Sequence, residues 1–145
     1  MHKVDSIQEK DGISAVVCCH NSAKVIEPTI KALLNQKFNR NVLYEIIVVD
    51  NNCSDNTEAK VKQIYNDSKN SVDLTIIKEP NSGLANARRT GVLKAKYSII
   101  SFLDDDNIVS ENWIEKTHHL FQTKTDVGVV GGLNQPLTQG DTPWW

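Results

Sequence analysis

Three consecutive aspartates, Asp104 to Asp106, are the residues of this 145-residue sequence with the plainest chemical potential. They directly follow the mostly apolar run 99–103. Two carboxylates about 4 Å apart repel each other by roughly 4 kcal/mol at an effective dielectric constant near 20, so they need either water or a cation. On an extended chain Asp104 and Asp106 point the same way and Asp105 the other. Two carboxylates on one face suit a hard divalent cation, Mg²⁺ or Mn²⁺.

The aspartates also have simpler explanations. A solvated acidic turn, in which one aspartate caps the next helix, explains the triplet as well as a metal site does. An EF-hand loop is disfavoured, because Ile108 would fill a ligand position and Val109 would replace the glycine of its sharp turn. The surroundings of the triplet must therefore decide between these possibilities.

The elements that position the aspartates follow from the hydrophobic pattern. Five short apolar runs predict strands, and segments with apolar residues at three- and four-residue spacing predict helices between them. The alternating order predicts a three-layer α/β/α domain with a mostly parallel sheet and helices on both faces. The predicted strands are 13–19, 43–49, 74–78, 97–103 and 127–130; the predicted helices are 25–38, one opened by a capping box of Asp55 and Glu58, 84–96, and one capped by Ser110.

Polar residues follow each of the first four predicted strands. Because the carboxyl ends of parallel strands lie on one edge of a sheet, these clusters should converge there, where open α/β sheets bind ligands. Each cluster alone could be structural, since asparagines and aspartates favour turns. The adjacent Arg88 and Arg89 could likewise form a solvated face of the predicted helix 84–96. The clusters are His20-Asn21-Ser22, Asp50-Asn51-Asn52, residues 79–83 and the three aspartates.

Composition narrows the class of protein. The net charge of −2 and pI of about 6.1 give no support for a nucleic-acid partner. The odd number of cysteines without CxxC spacing indicates reduced thiols and a cytoplasmic location. Residues 1–12 read as a polar tail rather than a signal peptide, and no apolar run is long enough to span a bilayer. Membrane association is therefore expected only through segments outside this chain.

In chain order these stretches resemble the glycosyltransferase family 2 enzymes, which have the GT-A fold. The resemblance is collinear over about residues 13–132, most of the chain, and rests on four motifs in order rather than on any one. The resembling stretches are VVCCHNSAKVIEPTIKALLNQ, YEIIVVDNNCSDNT, NSGLANARRTGVLKAK and YSIISFLDDDNIVSENWI, followed by VGVVGG.

The resemblance implies roles for individual residues. Asp106 is similar to the family's direct metal ligand and Asp104 to the aspartate near the ribose and metal. Asp50 is similar to the residue that forms a hydrogen bond with the nucleotide base, and Arg88 is similar to the residue near the base or the diphosphate. The remaining residues expected to bind the nucleotide sugar are His20, Asn21, Asn52, Asn81 and Asp105.

The implied activity is inverting transfer of a sugar, UDP-linked in particular, to a saccharide or lipid-linked acceptor hydroxyl, with Mn²⁺ or Mg²⁺ as cofactor. The domain would occupy residues 13–145 and be incomplete at its C-terminus. The general base is then expected beyond Trp145, and the chain alone is expected to be weakly active or inactive. A longer protein would act in the cytoplasm or on the cytoplasmic face of a membrane.

Two other functions remain open from the sequence. A nucleotidyltransferase of similar fold usually has a Gly-rich basic loop after its first strand, and HNSAKVIEP is neither Gly-rich nor strongly basic. A non-enzymatic module that binds a metal or nucleotide would need the same polar edge without the transfer chemistry. Nucleotide binding with and without Mn²⁺ separates these functions.

Overall fold

The computed structural model describes residues 10–38, 41–133 and 135–136. In these ranges strands and helices alternate along the chain. The elements are β1 (Ile13–Cys19), α1 (Ile26–Leu34), β2 (Tyr44–Asn51), α2 (Thr57–Ser68), β3 (Asp73–Glu79), α3 (Leu84–Lys94), β4 (Ile99–Asp104) and α4 (Trp113–Thr123).

The strands form one sheet in the order β3-β2-β1-β4, and every pair is parallel. The central strand β1 aligns Cys19 with Asp50 of β2, and Cys18 with Asp104 of β4. All four carboxyl ends therefore lie on one edge. The parallel α/β fold expected from the sequence is confirmed.

The two faces of the sheet carry separate apolar clusters. On one face Ile13, Ala15 and Val17 of β1 pack with buried residues of α1, α2 and α4. On the other face Val16 of β1 packs with Ala87 of α3. Strands buried on both faces must be apolar at successive positions, which explains the unbroken run at the start of the chain. Helices cover both faces, as predicted.

Helix α3 approaches the sheet unusually closely at Gly91. A Cβ atom at this position would lie 2.3 Å from Cγ1 of Val16, which is fully buried in β1. The missing side chain lets the helix backbone rest on the strand, and the start of α3 then lies beside the carboxyl edge.

The predicted fifth strand, 127–130, is wrong. These residues form no strand, and Val129 is 90% exposed. Strands gain stability from ladder bonds and cross-strand packing, and glycine weakens them. A Cβ atom added at Gly128, Gly131 or Gly132 would meet no other atom within 4 Å, so the segment lacks the contacts that a strand requires.

Several element boundaries also differ from the predictions. Helix α1 ends at Leu34 rather than at residue 38, and α3 ends at Lys94. Strand β2 extends to Asn51, beyond its apolar run. Helix α2 starts at Thr57, whose N–H donates to the Asp55 carboxylate at 3.0 Å. Helix α4 starts at Trp113, whose N–H donates to the carbonyl, not the side chain, of Ser110.

Most of the predicted polar tail, residues 1–9, lies outside the described part of the chain, as do residues 137–145 of the predicted domain. Among the described helices, none combines the length and the hydropathy needed to cross a membrane.

The close approach at Gly91 gives a prediction about stability. Gly91→Ala should destabilise the fold by about 1–2 kcal/mol, because overpacking costs about 1–3 kcal/mol and improved helix propensity returns up to about 1 kcal/mol. Urea denaturation measures the change. Gly128→Ala, which adds a methyl group in open space, is the control and should change stability by less than about 0.5 kcal/mol. Equal stability of the two variants would contradict the close packing.

Candidate functional site

A cavity of about 350 Å³ opens at the carboxyl edge of the sheet, beside the start of α3. It collects residues from the ends of β1, β2 and β4, as expected for a parallel sheet. The lining residues are Cys18, Cys19, His20, Asn51, Leu84, Ala87, Asp104, Asp105 and Asp106. All three aspartates and one of the predicted pocket residues, His20, therefore meet in one place.

The three aspartates have different surroundings within the cavity wall. Asp104 ends β4, and its carbonyl accepts a bond from the Asn107 N–H at 3.2 Å, closing a turn over Asp105 and Asp106. The Asp105 carboxylate accepts a hydrogen bond from the Ser22 hydroxyl. The carboxylates of Asp104 and Asp106 are exposed and have no hydrogen bond or ion pair with any residue in the described ranges. Two carboxylates are thus available to a ligand.

His20 has a defined ring orientation. Its Nδ1 lies 2.8 Å from the carbonyl oxygen of Asn51. A carbonyl only accepts hydrogen bonds, so Nδ1 carries the proton and, in the neutral ring, Nε2 is the acceptor. The His20 main-chain N–H donates to Ser22 Oγ at 3.1 Å, which fixes the loop as well. The ring therefore presents an orientated nitrogen at the cavity.

Asn51 connects three parts of the cavity wall. It is buried, and its Nδ2 donates to the carbonyl oxygens of Glu79 and Asn81 at 3.1 and 2.7 Å. Its Oδ1 accepts a bond from the Gly83 N–H at 2.8 Å. Gly83 has a φ of 124°, which favours glycine, and immediately precedes α3. The Asn51 amide therefore holds the β3–α3 loop and the start of α3 against the end of β2.

Two predicted residues support loops outside the cavity. Asp50 is buried, and its Oδ1 accepts a bond from the Cys53 N–H at 2.9 Å. Successive strand residues alternate between faces, so the Asp50 side chain lies on the face opposite Asn51. Asn21 has a φ of 55°, and its Oδ1 accepts bonds from the N–H groups of Ser54 and Asp55 at 2.7 and 3.3 Å.

Three other predicted residues, Asn52, Asn81 and Arg88, do not line the cavity. The Asn52 amide donates to Ser82 Oγ at 3.0 Å. The main-chain N–H and the side-chain amide of Asn81 both donate to the Glu79 carboxylate. Arg88 is exposed on α3, with its guanidinium carbon 5.4 Å from the centre of the Phe102 ring.

Sequence reasoning missed Asn51 as a cavity residue and selected its neighbours Asp50 and Asn52. The alternation along β2 contains the missing signal: Val49, two residues earlier, packs on the α3 face. Asn51 therefore lies on the same face of β2 as Val49, whereas Asp50 lies on the opposite face. The cavity lies on the α3 side, so using this alternation requires knowing which face α3 covers.

The cavity favours a hard cation over a soft one. Burial raises the pKa of the Cys18 thiol, with the nearby Arg88 charge opposing that effect, and burial also raises the pKa of the Cys19 thiol. Both therefore stay protonated near neutral pH and are poor ligands. The described residues contain no group of three or more His, Cys, Asp or Glu that could hold a metal by themselves. A cation here would need ligands from water or substrate.

The fold and the polar edge place this chain among parallel α/β domains whose carboxyl edge carries polar side chains, and comparison with solved structures identifies the fold more closely. Residues 1–349 of Staphylococcus aureus TarS in complex with UDP-GlcNAc match with a TM-score of 0.70 at 20% identity, over 87% of this chain and 37% of that TarS fragment. The Pyrobaculum calidifontis mannosyltransferase PcManGT, in complex with GDP-Man and Mn²⁺, matches with a TM-score of 0.67 at 21% identity, over 83% and 34% of the two chains. These matches establish the GT-A fold.

Sequence comparison identifies the family. The model of glycosyl transferase family 2 matches residues 14–145, and the chain belongs to this family. Poly-beta-1,6-N-acetyl-D-glucosamine synthase of Staphylococcus aureus strain COL is 31% identical over 127 residues, which are 88% of this chain. The chain spans 29% of the length of that relative.

The role of Asn51 can be tested by one atom change. Asn51→Asp should destabilise the fold by about 1–3 kcal/mol or more at neutral pH, because the Glu79 and Asn81 carbonyls lose their donor and face a negative oxygen. The penalty should shrink towards acidic pH, where a protonated carboxyl can donate again. Urea denaturation from pH 4 to pH 8 measures both effects.

Asn52→Asp is the matched control for this test. The Ser82 hydroxyl that accepts from Asn52 can rotate and donate to the new carboxylate, and the position is exposed. Its stability should change by less than about 0.5 kcal/mol. If the two variants behaved alike, the Asn51 bonds would not be holding the loop.

Proposed function

We propose that this chain is the donor-binding part of a glycosyltransferase that binds a nucleotide-diphosphate sugar, UDP-linked in particular, in the carboxyl-edge cavity. The observation that carries the proposal is that the carboxylates of Asp104 and Asp106, which have no bonding partner among the described residues, lie beside His20 in one cavity. This cavity lies where parallel α/β sheets bind ligands. Membership of glycosyl transferase family 2 supports transfer of a sugar as the reaction.

The residues fit a divalent metal ion of the Mn²⁺ or Mg²⁺ type. Carboxylate oxygens are hard ligands, and both Asp104 and Asp106 are exposed at the cavity. With two protein ligands, the remaining coordination positions would be taken by water and the donor diphosphate, which is how such ions are commonly bound. A bound metal would supply Lewis acidity that neutralises charge on the departing diphosphate. PcManGT, with the same fold, was solved with GDP-Man and Mn²⁺.

The nucleotide contacts are proposed from the positions of the remaining side chains. The orientated His20 ring would contact the nucleotide from the β1 side of the cavity. The Arg88 guanidinium stands near Cys18 in the cavity wall and would approach the diphosphate. Asp50, Asn21, Asn52 and Asn81 are proposed to shape the nucleotide pocket through the loops that they hold, and Asp105 through the turn between the two metal ligands.

The acceptor side of the reaction is proposed from the family alone. Transfer to a saccharide or lipid-linked hydroxyl with inversion needs a general base to take the acceptor proton. The carboxylates that line the cavity are the three aspartates, which are proposed to serve the metal and the donor. We therefore propose that the base comes from residues outside the described cavity lining, in a protein that works in the cytoplasm or at the cytoplasmic face of a membrane.

Calorimetric titration of UDP tests the donor site. UDP should bind in the presence of Mn²⁺ and bind at least tenfold more weakly in the presence of a chelator, since the ion joins the diphosphate to Asp104 and Asp106. Asp106→Asn should remove this metal dependence. Asp67→Asn, an exposed change on α2, is the control and should bind like the wild type.

The alternatives give different results in the same assay. Absence of any nucleotide binding would favour a non-enzymatic module. Binding of a nucleoside triphosphate, with release of pyrophosphate on adding a sugar phosphate, would favour a nucleotidyltransferase. Either result overturns the proposed function.

We expect this chain to bind the sugar-nucleotide donor but to transfer the sugar slowly. The 145-residue chain is expected to release UDP from a sugar nucleotide at least 100-fold more slowly than a form extended to the length of its relatives, because an orientated base contributes about 10²- to 10⁴-fold. A coupled assay for released UDP, run with and without acceptor, measures this ratio. Equal acceptor-dependent rates would place the base within the present chain.

A further inference from the structure

The middle aspartate of the triplet is held by groups that do not reach the cavity. We propose that Ser22 and Thr29 are positioning residues, which fix Asp105 and thereby hold Asp104 and Asp106 in the arrangement that binds the cation. We call Ser22, Thr29 and Asp105 the Asp105 anchor. This inference rests on the proposed metal-dependent donor site, and it assigns a function to two hydroxyl groups outside that site.

Asp105 is fixed at two separate atoms. Its carboxylate Oδ2 accepts a hydrogen bond from Ser22 Oγ, and its main-chain carbonyl accepts one from Thr29 Oγ1 at 2.9 Å. Both donors are buried, with Ser22 1% and Thr29 0% exposed. Since one bond holds the side chain and the other holds the backbone, rotation of the residue in either part would break a bond.

The donors are themselves held in place. The Ser22 hydroxyl accepts a bond from the His20 N–H, so its own hydrogen is free to point at Asp105. The Ser22 N–H donates to Thr57 Oγ1 at 2.8 Å, and that hydroxyl donates to Asp55 at 2.5 Å. Thr29 lies within α1, which is packed in the main apolar cluster. The anchor therefore connects the aspartate turn to the first residue of α2 and the middle of α1.

This arrangement answers an electrostatic problem. Three adjacent carboxylates repel one another, and an unrestrained turn would separate them towards solvent. Fixing Asp105 on the Ser22 side leaves its two neighbours, which have no bonding partner in the described structure, in a set position before a cation arrives. Groups that orient metal ligands commonly change metal affinity by about 10- to 100-fold although they do not touch the metal.

The decisive comparison uses two changes at Thr29. Thr29→Val keeps the shape and removes the hydroxyl, whereas Thr29→Ser keeps the hydroxyl and removes a methyl group. In the full chain, Thr29→Val should bind Mn²⁺ about 10-fold more weakly in the presence of UDP, and Thr29→Ser should stay within about 3-fold of the wild type. Electron paramagnetic resonance of free Mn²⁺ measures the affinity, and the spectrum of the bound ion reports its coordination. Ser22→Ala should give a loss like that of Thr29→Val.

Ser14→Ala separates positioning from general stability. Ser14 is a buried serine at the opposite end of β1, and its hydroxyl donates to the Glu45 carboxylate at 2.7 Å. It should lose stability to a degree similar to that of Ser22→Ala in urea denaturation, yet bind Mn²⁺ like the wild type. Loss of Mn²⁺ affinity in Ser14→Ala as well would show that the effect follows stability, and would overturn the anchor.

The two proposals fail in distinguishable ways. If the wild-type chain binds Mn²⁺ with UDP, and Thr29→Val and Ser22→Ala bind it equally well, the anchor is overturned and the donor site stands. If the wild-type chain binds no Mn²⁺ under the same conditions, the proposed metal site is overturned and the positioning function with it.

Discussion

The parallel pairing of β1 with both β2 and β4 is the constraint on which the rest of this structure depends. It requires apolar side chains on both faces of β1, and it brings the carboxyl ends of the strands to one edge. The register then sets Cys18 against Asp104 and Cys19 against Asp50, so the positions of the polar residues are fixed by buried residues far from them. A slip of one residue would move every side chain of a strand to the other face and dismantle the cavity.

Beyond the strand ends, the chain is held by hydrogen bonds between side chains and the backbone and no longer by hydrogen bonds between neighbouring strands. Asn51 holds the loop before α3, and Asn21 holds the backbone before α2. Gln36 acts in the same way at α4, because its amide donates to the Ser110 carbonyl and accepts from the Ile114 N–H. A buried main-chain group without a partner costs about 1–3 kcal/mol, so these bonds keep the irregular segments in a single conformation.

A feature of the fold or the site could be predicted from the sequence where residues close to it in the chain determine it. Of the five apolar runs, four form the strands they predicted, and the alternation of strands with helices predicted that these strands are parallel. The run at 127–130 gave the same local signal and formed no strand, since strand formation needs partners that periodicity does not reveal. At the cavity, the aspartates were selected from their types and spacing and His20 from its place after the first strand, whereas Asn51, Ser22 and Thr29 were given no role. Their roles depend on contacts with residues 28 to 83 positions away in the chain.

The three aspartates show why residue type alone does not define a role. They are identical and adjacent, yet the middle one faces buried donors on the α1 side while its neighbours face open space in the cavity. Because β4 ends at Asp104 and a turn follows, the positions of Asp105 and Asp106 depend on contacts beyond the strand and not on strand alternation alone. The same segment is held again farther on, where the side-chain amide of Gln36, two residues after α1, donates to the Ser110 carbonyl. Helix α1 and the residues that follow it therefore hold the aspartate loop at two points, and displacement of that helix should disturb the cavity even though none of its residues lines it.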